Sequence, residues 1–311
     1  MISVVIPLWN KEAYIERCLL SVLTQTFRNF EVIVVDDGST DRSAALVRQI
    51  NDTRVRLLSQ PNAGVSVARN TGIAHASYPY IAFLDADDEW ETDHLELLHH
   101  LIETFPSCGL FSTCYTIQKE DGPKTLPEFP RDKLPFQGNE GIIDNYYEIA
   151  SGTNAPLNMN TFAVRKELIE RVGGFPAGIK SGEDLITIAR LHAQCDFAYS
   201  LIPTTTVHLI YTGRNRRPVS EEEPLNACFD ALLTTAHHRK GVRNYVSWWH
   251  KNRMVRAIYA RNPRLALKEF YHAFRIYPFQ HKIYTAFILT CFSVLSGKDL
   301  YSINRFIKKK L

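Results

Sequence analysis

Four short runs rich in apolar residues lie in the first ninety positions, separated by segments with a different periodicity. The runs are ISVVIPL, FEVIVVDD, VRLLSQ and YIAFLDAD. After the first run, apolar residues recur every three or four positions at Ile15, Cys18, Leu19, Val22 and Leu23, which places them on one face of a helix. Buried strands that alternate with helices are typical of a mostly parallel sheet covered on both faces. The pattern therefore predicts an α/β fold.

Polar residues at the starts of the predicted helices are candidate N-caps. Asn10 precedes the first helix, Ser39 or Thr40 the second, and Ser181 a later helix in SGEDLITIARLHA. Near the other end, NPRLALKEFYHAFRIYP predicts a helix that begins at Pro263 after an Asn262 cap. Its apolar residues are expected to share one face: Leu267, Phe270, Tyr271 and Phe274.

Strand-like segments become rare past VHLIYTGRNRRP. We therefore predict two domains, an α/β domain over residues 1–217 and a helical, basic region over 218–311. The segment 106–140 is rich in Pro, Gly and charge and predicts an irregular excursion within the first domain.

The net charge of +3 conceals a strong asymmetry. Residues 239–311 contain sixteen Lys and Arg against two acids, Glu269 and Asp299, a balance of +14, and they hold fourteen of the thirty-five aromatic residues. Each basic side chain near an anionic leaflet contributes about 1 kcal/mol, and aromatic rings settle at headgroup level. We expect this region to bind an anionic membrane surface. A solvated helical bundle is the alternative, and nucleic acid is not expected as a partner because no RNP-like, KH-like or zinc signature is present.

Compartment is predicted from the cysteines and the apolar segments. The six cysteines are scattered without a CxxC pair, which is typical of reduced thiols in the cytosol. The first residues lack a basic region and a cleavage motif. The longest apolar stretch, 283–296, is shorter than a membrane span and is predicted to be buried or interfacial. We expect a cytoplasmic protein that is peripheral on the inner face of the cell membrane.

Acidic residues follow two of the predicted strands. They are Asp36 and Asp37 after the second strand, and Asp85, Asp87 and Asp88 after the fourth. Ligands of open α/β sheets bind at the carboxyl ends of the strands. In extended chain Asp85 and Asp87 project to the same side and can converge on one hard cation, Mg²⁺ or Mn²⁺. Taken alone, the pair is equally compatible with capping of the next helix.

Several motifs occur together in one order and spacing. They are VVIPLWNKEAYIERCLLSVLTQTFRNFEVIVVDDGSTDRS, NAGVSVARNTGI, FLDADDEW and VGGF followed by SGED. Over roughly residues 2–195 the chain resembles the inverting glycosyltransferases of family two, which have the Rossmann-like GT-A fold. The resemblance implies a nucleotide-sugar donor and a divalent metal cofactor, Mn²⁺ or Mg²⁺.

The resemblance also implies roles for individual residues on the donor side. Asp37 meets the uracil ring with Asp36 beside it, Asp87 binds the metal, and Asp85 approaches the ribose or the metal shell. Asp88 supports these residues or caps the next helix. Pro7, Glu12 and Arg69 line the nucleotide pocket. Ordinary structural roles stay open for some of these residues, since Asp36 can be a turn former, Pro7 can end a strand and Arg69 can pair with an acid.

On the acceptor side, the resemblance makes Asp184 in SGED the general base and gives Glu183 the orientation of acceptor or loop. Acids also favour helix N-termini for dipole reasons alone. His208 is a candidate metal or phosphate ligand. Arg214 is a candidate phosphate ligand in a loop that could equally be a solvated basic segment. Asn158, with Asn154 and Asn160, is a candidate partner for acceptor hydroxyls.

We predict a metal-dependent inverting glycosyltransferase, either a hexosyl- or an N-acetylhexosaminyltransferase. It would move a sugar from a UDP-sugar to a glycan or lipid-linked acceptor in cell-surface polysaccharide synthesis. A nucleotidyltransferase is disfavoured because PLWNKEAY replaces the Gly-rich basic loop expected after its first strand. A catalytically lapsed scaffold that binds nucleotide-sugar or nucleic acid would show a broken acidic pair or a missing base. The sequence contains the intact acidic pair and the candidate base, which disfavours this alternative.

Overall fold

The computed structural model of the protein describes residues 1–120, 122–152, 155–179, 181–209, 224–279, 283–285, 287, 288 and 291. The chain forms two compact units, Met1–Tyr211 and Thr212–Leu311. The domain boundary predicted after residue 217 falls within 210–223, outside the described residues, and stays a prediction. Most of the predicted interfacial stretch 283–296 also lies outside them.

The first unit is built on one mixed sheet. Its strands are β1 (Ile2–Leu8), β2 (Phe30–Asp36), β3 (Val55–Ser59), β4 (Tyr80–Phe83), β5 (Glu89–Trp90), β6 (Leu110–Lys119), β7 (Glu140–Ile143), β8 (Phe162–Arg165) and β9 (Phe197–Leu209). Their order is β3-β2-β1-β4-β8-β6-β9-β5, and β7 pairs with β9. The run from β3 to β4 is parallel, as is β6 with β9, while β8, β5 and β7 pair antiparallel with their neighbours. The four strands predicted from the apolar runs form the parallel run.

Helices connect these strands. In the first unit they are α1 (Ile15–Leu23), α2 (Ser43–Arg48), α3 (Val65–His75), α4 (His94–Thr104), α5 (Tyr146–Ala150), α6 (Lys166–Arg171) and α7 (Glu183–Gln194). Two 3-10 helices span Arg131–Lys133 and Met159–Thr161. In the second unit the helices whose bounds lie within the described residues are α8 (Pro224–Thr235), α9 (Val242–Tyr259) and α10 (Pro263–Ile276). Within the described part of the chain, none of these helices is both long and apolar enough to cross a bilayer.

Strand β1 is covered on both faces, as the continuous apolar run predicts. Val4 and Ile6 belong to one core cluster with Cys18 of α1. On the other face, Gly72 of α3 lies so close to Val5 that an added Cβ would overlap the valine side chain. Because only glycine permits this approach, α3 lies directly against the sheet.

Three of the predicted helix caps are wrong. The Asn10 side chain, on a backbone with φ of 50°, accepts a hydrogen bond from the Thr40 N–H at 2.8 Å, and the Ser39 hydroxyl accepts one from the Asn10 N–H at 3.1 Å. These polar groups join the loops after β1 and β2 instead of capping α1 and α2. At α7 the N-cap is Gly182 with a left-handed backbone, rather than Ser181.

In the second unit the predicted start of α10 is confirmed. The Asn262 side chain accepts a hydrogen bond from the Leu265 N–H at 3.0 Å, and Pro263 occupies the first helical position. Of the four apolar residues predicted to share one face, Phe270 is partly buried, whereas Leu267, Tyr271 and Phe274 are exposed. The residues that α10 buries are Leu265, Ala266, Glu269 and Ala273.

Candidate active site

Two acidic segments meet at one edge of the parallel sheet. Asp36 and Asp37 lie at the end of β2, and residues 85–88 follow β4. Strand β1 lies between β2 and β4, so both segments flank the end of β1. The sheet topology thus brings the carboxylates of both segments together at the carboxyl end of the sheet, as the sequence predicts.

Arg69 of α3 links this edge to α7. Its guanidinium is buried and contacts Asp85 at 2.7 Å (Nη2 to Oδ1) and Glu183 at 3.3 Å (Nη1 to Oε1). Burial alone would lower the pKa of Arg69, but the charges of Asp85 and Glu183 outweigh it and raise that pKa. A single cation therefore holds carboxylates from two elements that are distant in sequence.

The two acids at the start of α7 have perturbed proton affinities. Burial raises the pKa of Asp184, although its carboxylate accepts a hydrogen bond from the Leu185 N–H at 2.8 Å and lies near the charge of Arg69. Burial also raises the pKa of Glu183, and the neighbouring Asp184 adds to this effect. A carboxylate with a raised pKa is a better proton acceptor, which suits a general base.

Asp87 is held by two cations that the sequence analysis did not single out. Its carboxylate forms an ion pair with Lys11, and its backbone carbonyl accepts a hydrogen bond from Arg17. Arg17 also lies 3.8 Å from Glu89 (Nε to Oε2). Lys11 lies in the loop after β1 and Arg17 lies in α1, and their place directly after the first predicted strand was the signal available in the sequence.

Asp88 is buried beneath the site. It accepts hydrogen bonds from the His208 N–H at 2.6 Å and from the side-chain amide of Asn160. The carbonyl oxygen of that same amide accepts a hydrogen bond from the Asp85 N–H at 2.7 Å. Burial raises the pKa of Asp88 well above its ordinary value, and the charges of Asp85 and Asp87 raise it further. Asp88 and Asn160 thus anchor the loop that carries the other two acids.

The end of β2 is closed by the loop before α3. The Asp37 carboxylate accepts hydrogen bonds from the Gln60 side chain at 2.7 Å, the Ala63 N–H at 2.9 Å and the Gly64 N–H at 2.8 Å. Asp36 accepts one from the Ser39 N–H at 3.0 Å. Asp37 therefore organises a ring of backbone and amide groups at the sheet edge.

Residues 3–173, more than half of the chain, match the family model described as Glycosyl transferase family 2. The chain belongs to this family.

Curated relatives of this family 2 member are similar over shorter segments. Glycosyltransferase GlyA of Streptococcus pneumoniae serotype 4 is 38% identical over 152 residues, which is 47% of this chain and 22% of that protein. The chondroitin synthase of Pasteurella multocida is 35% identical over 144 residues, 43% of this chain and 15% of that protein. The aligned segments thus span less than a quarter of the length of either relative.

Solved structures resemble this family 2 chain over nearly its whole length. S. aureus TarS 1–349 in complex with UDP-GlcNAc has a TM-score of 0.66 at 18% identity and covers 96% of this chain and 92% of that one. The mannosyltransferase PcManGT from Pyrobaculum calidifontis, in complex with GDP-Man and Mn²⁺, has a TM-score of 0.59 at 18% identity and covers 97% and 82%. These similarities confirm the predicted GT-A-like α/β fold.

The acids of this family 2 chain suit a divalent metal. Across the described residues, no group of three or more His, Cys, Asp or Glu side chains converges as a ready-made metal site. Mg²⁺ usually takes one or two protein carboxylates and completes its shell with substrate phosphates and water. Asp85 and Asp87 are partly exposed and are the two carboxylates that would supply such a pair. The His208 ring nitrogen Nε2 lies 3.0 Å from Glu89 Oε1.

The remaining predicted residues lie around this centre or outside the described residues. Pro7 is half-buried in β1, and the Glu12 carboxylate accepts a hydrogen bond from the Arg42 N–H at 2.9 Å. Asn158 caps the 3-10 helix Met159–Thr161. Arg214 and Asn154 lie outside the described residues, and their roles stay predictions.

Proposed function

We propose that this family 2 member transfers a sugar from a nucleotide-sugar to a hydroxyl group of a glycan or lipid-linked acceptor. The observation that carries the proposal is the buried Arg69 bridge. It joins Asp85, at the edge where α/β sheets bind nucleotides, to Glu183, the neighbour of a carboxylate with a raised pKa. Donor and acceptor machinery would then share one rigid support. Synthesis of a cell-surface polysaccharide is the corresponding role, and the similarity to a chondroitin synthase supports it.

A UDP-sugar is the proposed donor. TarS, whose fold this chain shares, is described in complex with UDP-GlcNAc, while PcManGT is described with GDP-Man. Carboxylates at the end of β2 accept hydrogen bonds from the ring N–H of a uracil or from ribose hydroxyls. Asp36 and Asp37 are the residues proposed for this contact, with Pro7, Glu12 and Arg69 around them.

Asp87, with Asp85 beside it, would hold a divalent ion, Mn²⁺ or Mg²⁺. When bound, such an ion supplies positive charge to the leaving diphosphate. In the proposed site, His208 and Arg214 remain candidates for further contact with the metal or the phosphates. Lys11 and Arg17 add cationic groups on the same side of the acids.

Asp184 is the proposed general base, and it makes the reaction inverting. The acceptor oxygen attacks the anomeric carbon from the face opposite the diphosphate, its proton passes to the Asp184 carboxylate, and the bond from the anomeric carbon to the diphosphate oxygen breaks. General-base help of this kind is worth on the order of 10²–10⁴-fold in rate. Glu183, fixed by Arg69, would orient the acceptor or the start of α7.

The test compares Asp184→Asn with Asp132→Asn, a control at an exposed acid of the same unit. Transfer and hydrolysis are measured with a panel of UDP- and GDP-sugars and Mn²⁺, and donor binding is followed by thermal shift. We expect Asp184→Asn to lose at least about 10²-fold in turnover while the donor-induced shift persists. Full turnover in Asp184→Asn would exclude it as the base, and absence of any nucleotide-induced shift in the wild type would contradict the donor site.

We also propose that residues 239–311 attach the protein to the anionic inner face of the cell membrane. Support comes from the charge balance of this region and from the inward position of Glu269, which pairs with Arg253 at 2.8 Å (Oε1 to Nε). Because Glu269 faces inward, this acid does not neutralise the exposed basic side chains Arg264, Lys268 and Arg275 of the same helix.

A further inference from the structure

Helix α10 has two apolar sides, and among the described residues the side chains of one side are buried while those of the other are exposed. Leu265, Ala266 and Ala273 are buried, whereas Leu267, Tyr271 and Phe274 are 50%, 57% and 41% exposed. The exposed residues are spaced by four and three positions, so they form one stripe along the helix. We call Leu267, Tyr271 and Phe274 the outer stripe.

A row of basic side chains borders the outer stripe. Arg264, Lys268 and Arg275 are exposed and follow one another by one or two helical turns. The Arg275 guanidinium lies 5.6 Å from the centre of the Tyr271 ring, which ties the two rows together. We call Arg264, Lys268 and Arg275 the basic row.

The sole acid of α10 cannot neutralise the basic row, because it is turned inward. Glu269 is buried and contacts the Arg253 guanidinium at 2.8 Å (Oε1 to Nε) and the His250 ring at 2.5 Å (Oε2 to Nδ1). Burial alone would raise the pKa of Glu269, but these hydrogen bonds and charges outweigh it and lower that pKa. Glu269 therefore stays ionised and fixes which side of α10 faces inward.

The positive surface continues from α10 onto α9. Arg275 and Arg243 line one cavity of about 270 Å³, together with Leu233, His272, Ile276 and Asp230. Asp230 also lies 3.1 Å from the His250 ring (Oδ1 to Nε2). A cavity bordered by two guanidinium groups suits the phosphate of a lipid headgroup.

We propose that α10 lies in the plane of an anionic bilayer surface. The outer stripe inserts at the boundary between headgroups and acyl chains, and the basic row contacts lipid phosphates. An apolar stripe with aromatic rings beside a one-signed basic row is the composition of interfacial helices, and its charge is complementary to an anionic leaflet. This inference rests on the proposed membrane attachment of residues 239–311 and names the surface that makes the contact.

The experiment uses the full chain and vesicles of phosphatidylcholine with and without phosphatidylglycerol. Binding is measured by co-sedimentation at low and high salt. The stripe variant is Leu267→Ser with Phe274→Ser, and the row variant is Arg264→Gln with Lys268→Gln. Leu20→Ser and Arg28→Gln are matched controls, since both change exposed residues of the first unit. Thermal unfolding is recorded for each variant to confirm folding.

We expect wild-type binding only to vesicles that contain phosphatidylglycerol, and weaker binding at high salt. Each basic residue contributes about fivefold to binding and each buried methylene about fourfold, so the row variant should lose about 25-fold and the stripe variant at least as much. The controls should bind like the wild type. Equal binding by the wild type and both variants overturns the proposal, as does wild-type binding to RNA or to an acidic protein with none to vesicles.

Donor turnover on a water-soluble acceptor separates this inference from the proposed transferase activity. Stripe and row variants should keep that turnover, because α10 contributes no residue to the proposed site. A wild type that binds vesicles through α10 but turns over no donor would contradict the enzymatic proposal alone. A wild-type protein that turns over donor but does not bind anionic vesicles would contradict the membrane proposal alone.

Discussion

Replacing Arg69 by Met should destabilise the first unit strongly. The change removes the buried guanidinium and leaves Asp85 and Glu183 as two carboxylates without their shared cation. Removing one partner of a buried ion pair costs about 3–5 kcal/mol. Arg69 is 3% exposed and Glu183 13%, but Asp85 is 33% exposed and water can solvate it in part. We therefore expect the low end, about 3 kcal/mol.

This loss corresponds to a lower melting temperature by roughly 6–12 °C, because 1 kcal/mol shifts the Tm of a unit of this size by about 2–4 °C. Thermal unfolding of the full chain at neutral pH measures it. The control is Arg54→Met, which breaks a partly exposed pair with Asp52 and should cost less than about 1 kcal/mol. The double variant Arg69→Met with Glu183→Gln should recover part of the loss, since one uncompensated charge is gone.

Acid should also narrow the difference between Arg69→Met and the wild type, because protonation of Glu183 removes an uncompensated charge. An Arg69→Met protein that melts within about 1 °C of the wild type, or no lower than Arg54→Met, would refute the structural role of the bridge. The nucleotide-induced thermal shift of the same variant then tells whether Arg69 also supports the donor site.

Two further predictions concern other charged groups. Lys11→Met removes the ammonium that the proposed metal ion would displace from Asp87, so Mn²⁺ should bind about fivefold tighter by calorimetric titration. Lys124→Met, at an exposed ion pair, is the control and should leave the Mn²⁺ affinity unchanged; equal Mn²⁺ affinities of Lys11→Met and the wild type would contradict the prediction. Burial lowers the pKa of His94 from 6.5 to about 3, so between these pH values the unfolded chain binds a proton at His94 that the folded chain does not bind. The free energy of unfolding should then fall by about 1.4 kcal/mol per pH unit as the pH drops from 6.5 towards 3. In urea titrations, His94→Gln should make this dependence on pH less steep. An unchanged dependence on pH would contradict the lowered pKa of His94.

The first half of the α/β unit could be predicted because its signals are local. Each of the first four strands is a run rich in apolar residues, and α1 buries the face that its periodicity indicates. Strand β6 was not predicted, because the segment 106–140 was expected to be irregular, and neither was the antiparallel insertion of β8 between β4 and β6. Its place depends on pairing with strands far along the chain, and a local pattern contains no information on such pairing.

Much of the candidate site was predicted as a list of acids, and Arg69 was considered as a partner of an acid, but their other partners were not predicted. Asp85, Asp87 and Asp88 directly follow an apolar run. In a chain whose strands and helices alternate, that position alone predicts that they lie at the carboxyl end of the sheet. Lys11 and Asn160 were harder to assign, because a lysine and an asparagine are ordinary loop residues until the fold places them beside these carboxylates. The sheet order does this by setting β1 next to β4 and β4 next to β8.

Helix α10 separates most clearly what the sequence by itself determined from what the tertiary structure decided. Its cap, its length and the spacing of its apolar residues follow from local chemistry. Which side faces inward does not, since the sequence has apolar residues on two sides of the helix. Ala266 and Ala273 permit close packing, and Glu269 reaches the cations of α9, so that side is buried and the larger apolar residues Leu267, Tyr271 and Phe274 remain outside. Burying the paired charge of Glu269 thus stabilised the structure more than burying the larger apolar side chains would have done. The sequence alone does not show which of these two effects is greater, because it does not show that Glu269 meets Arg253 and His250.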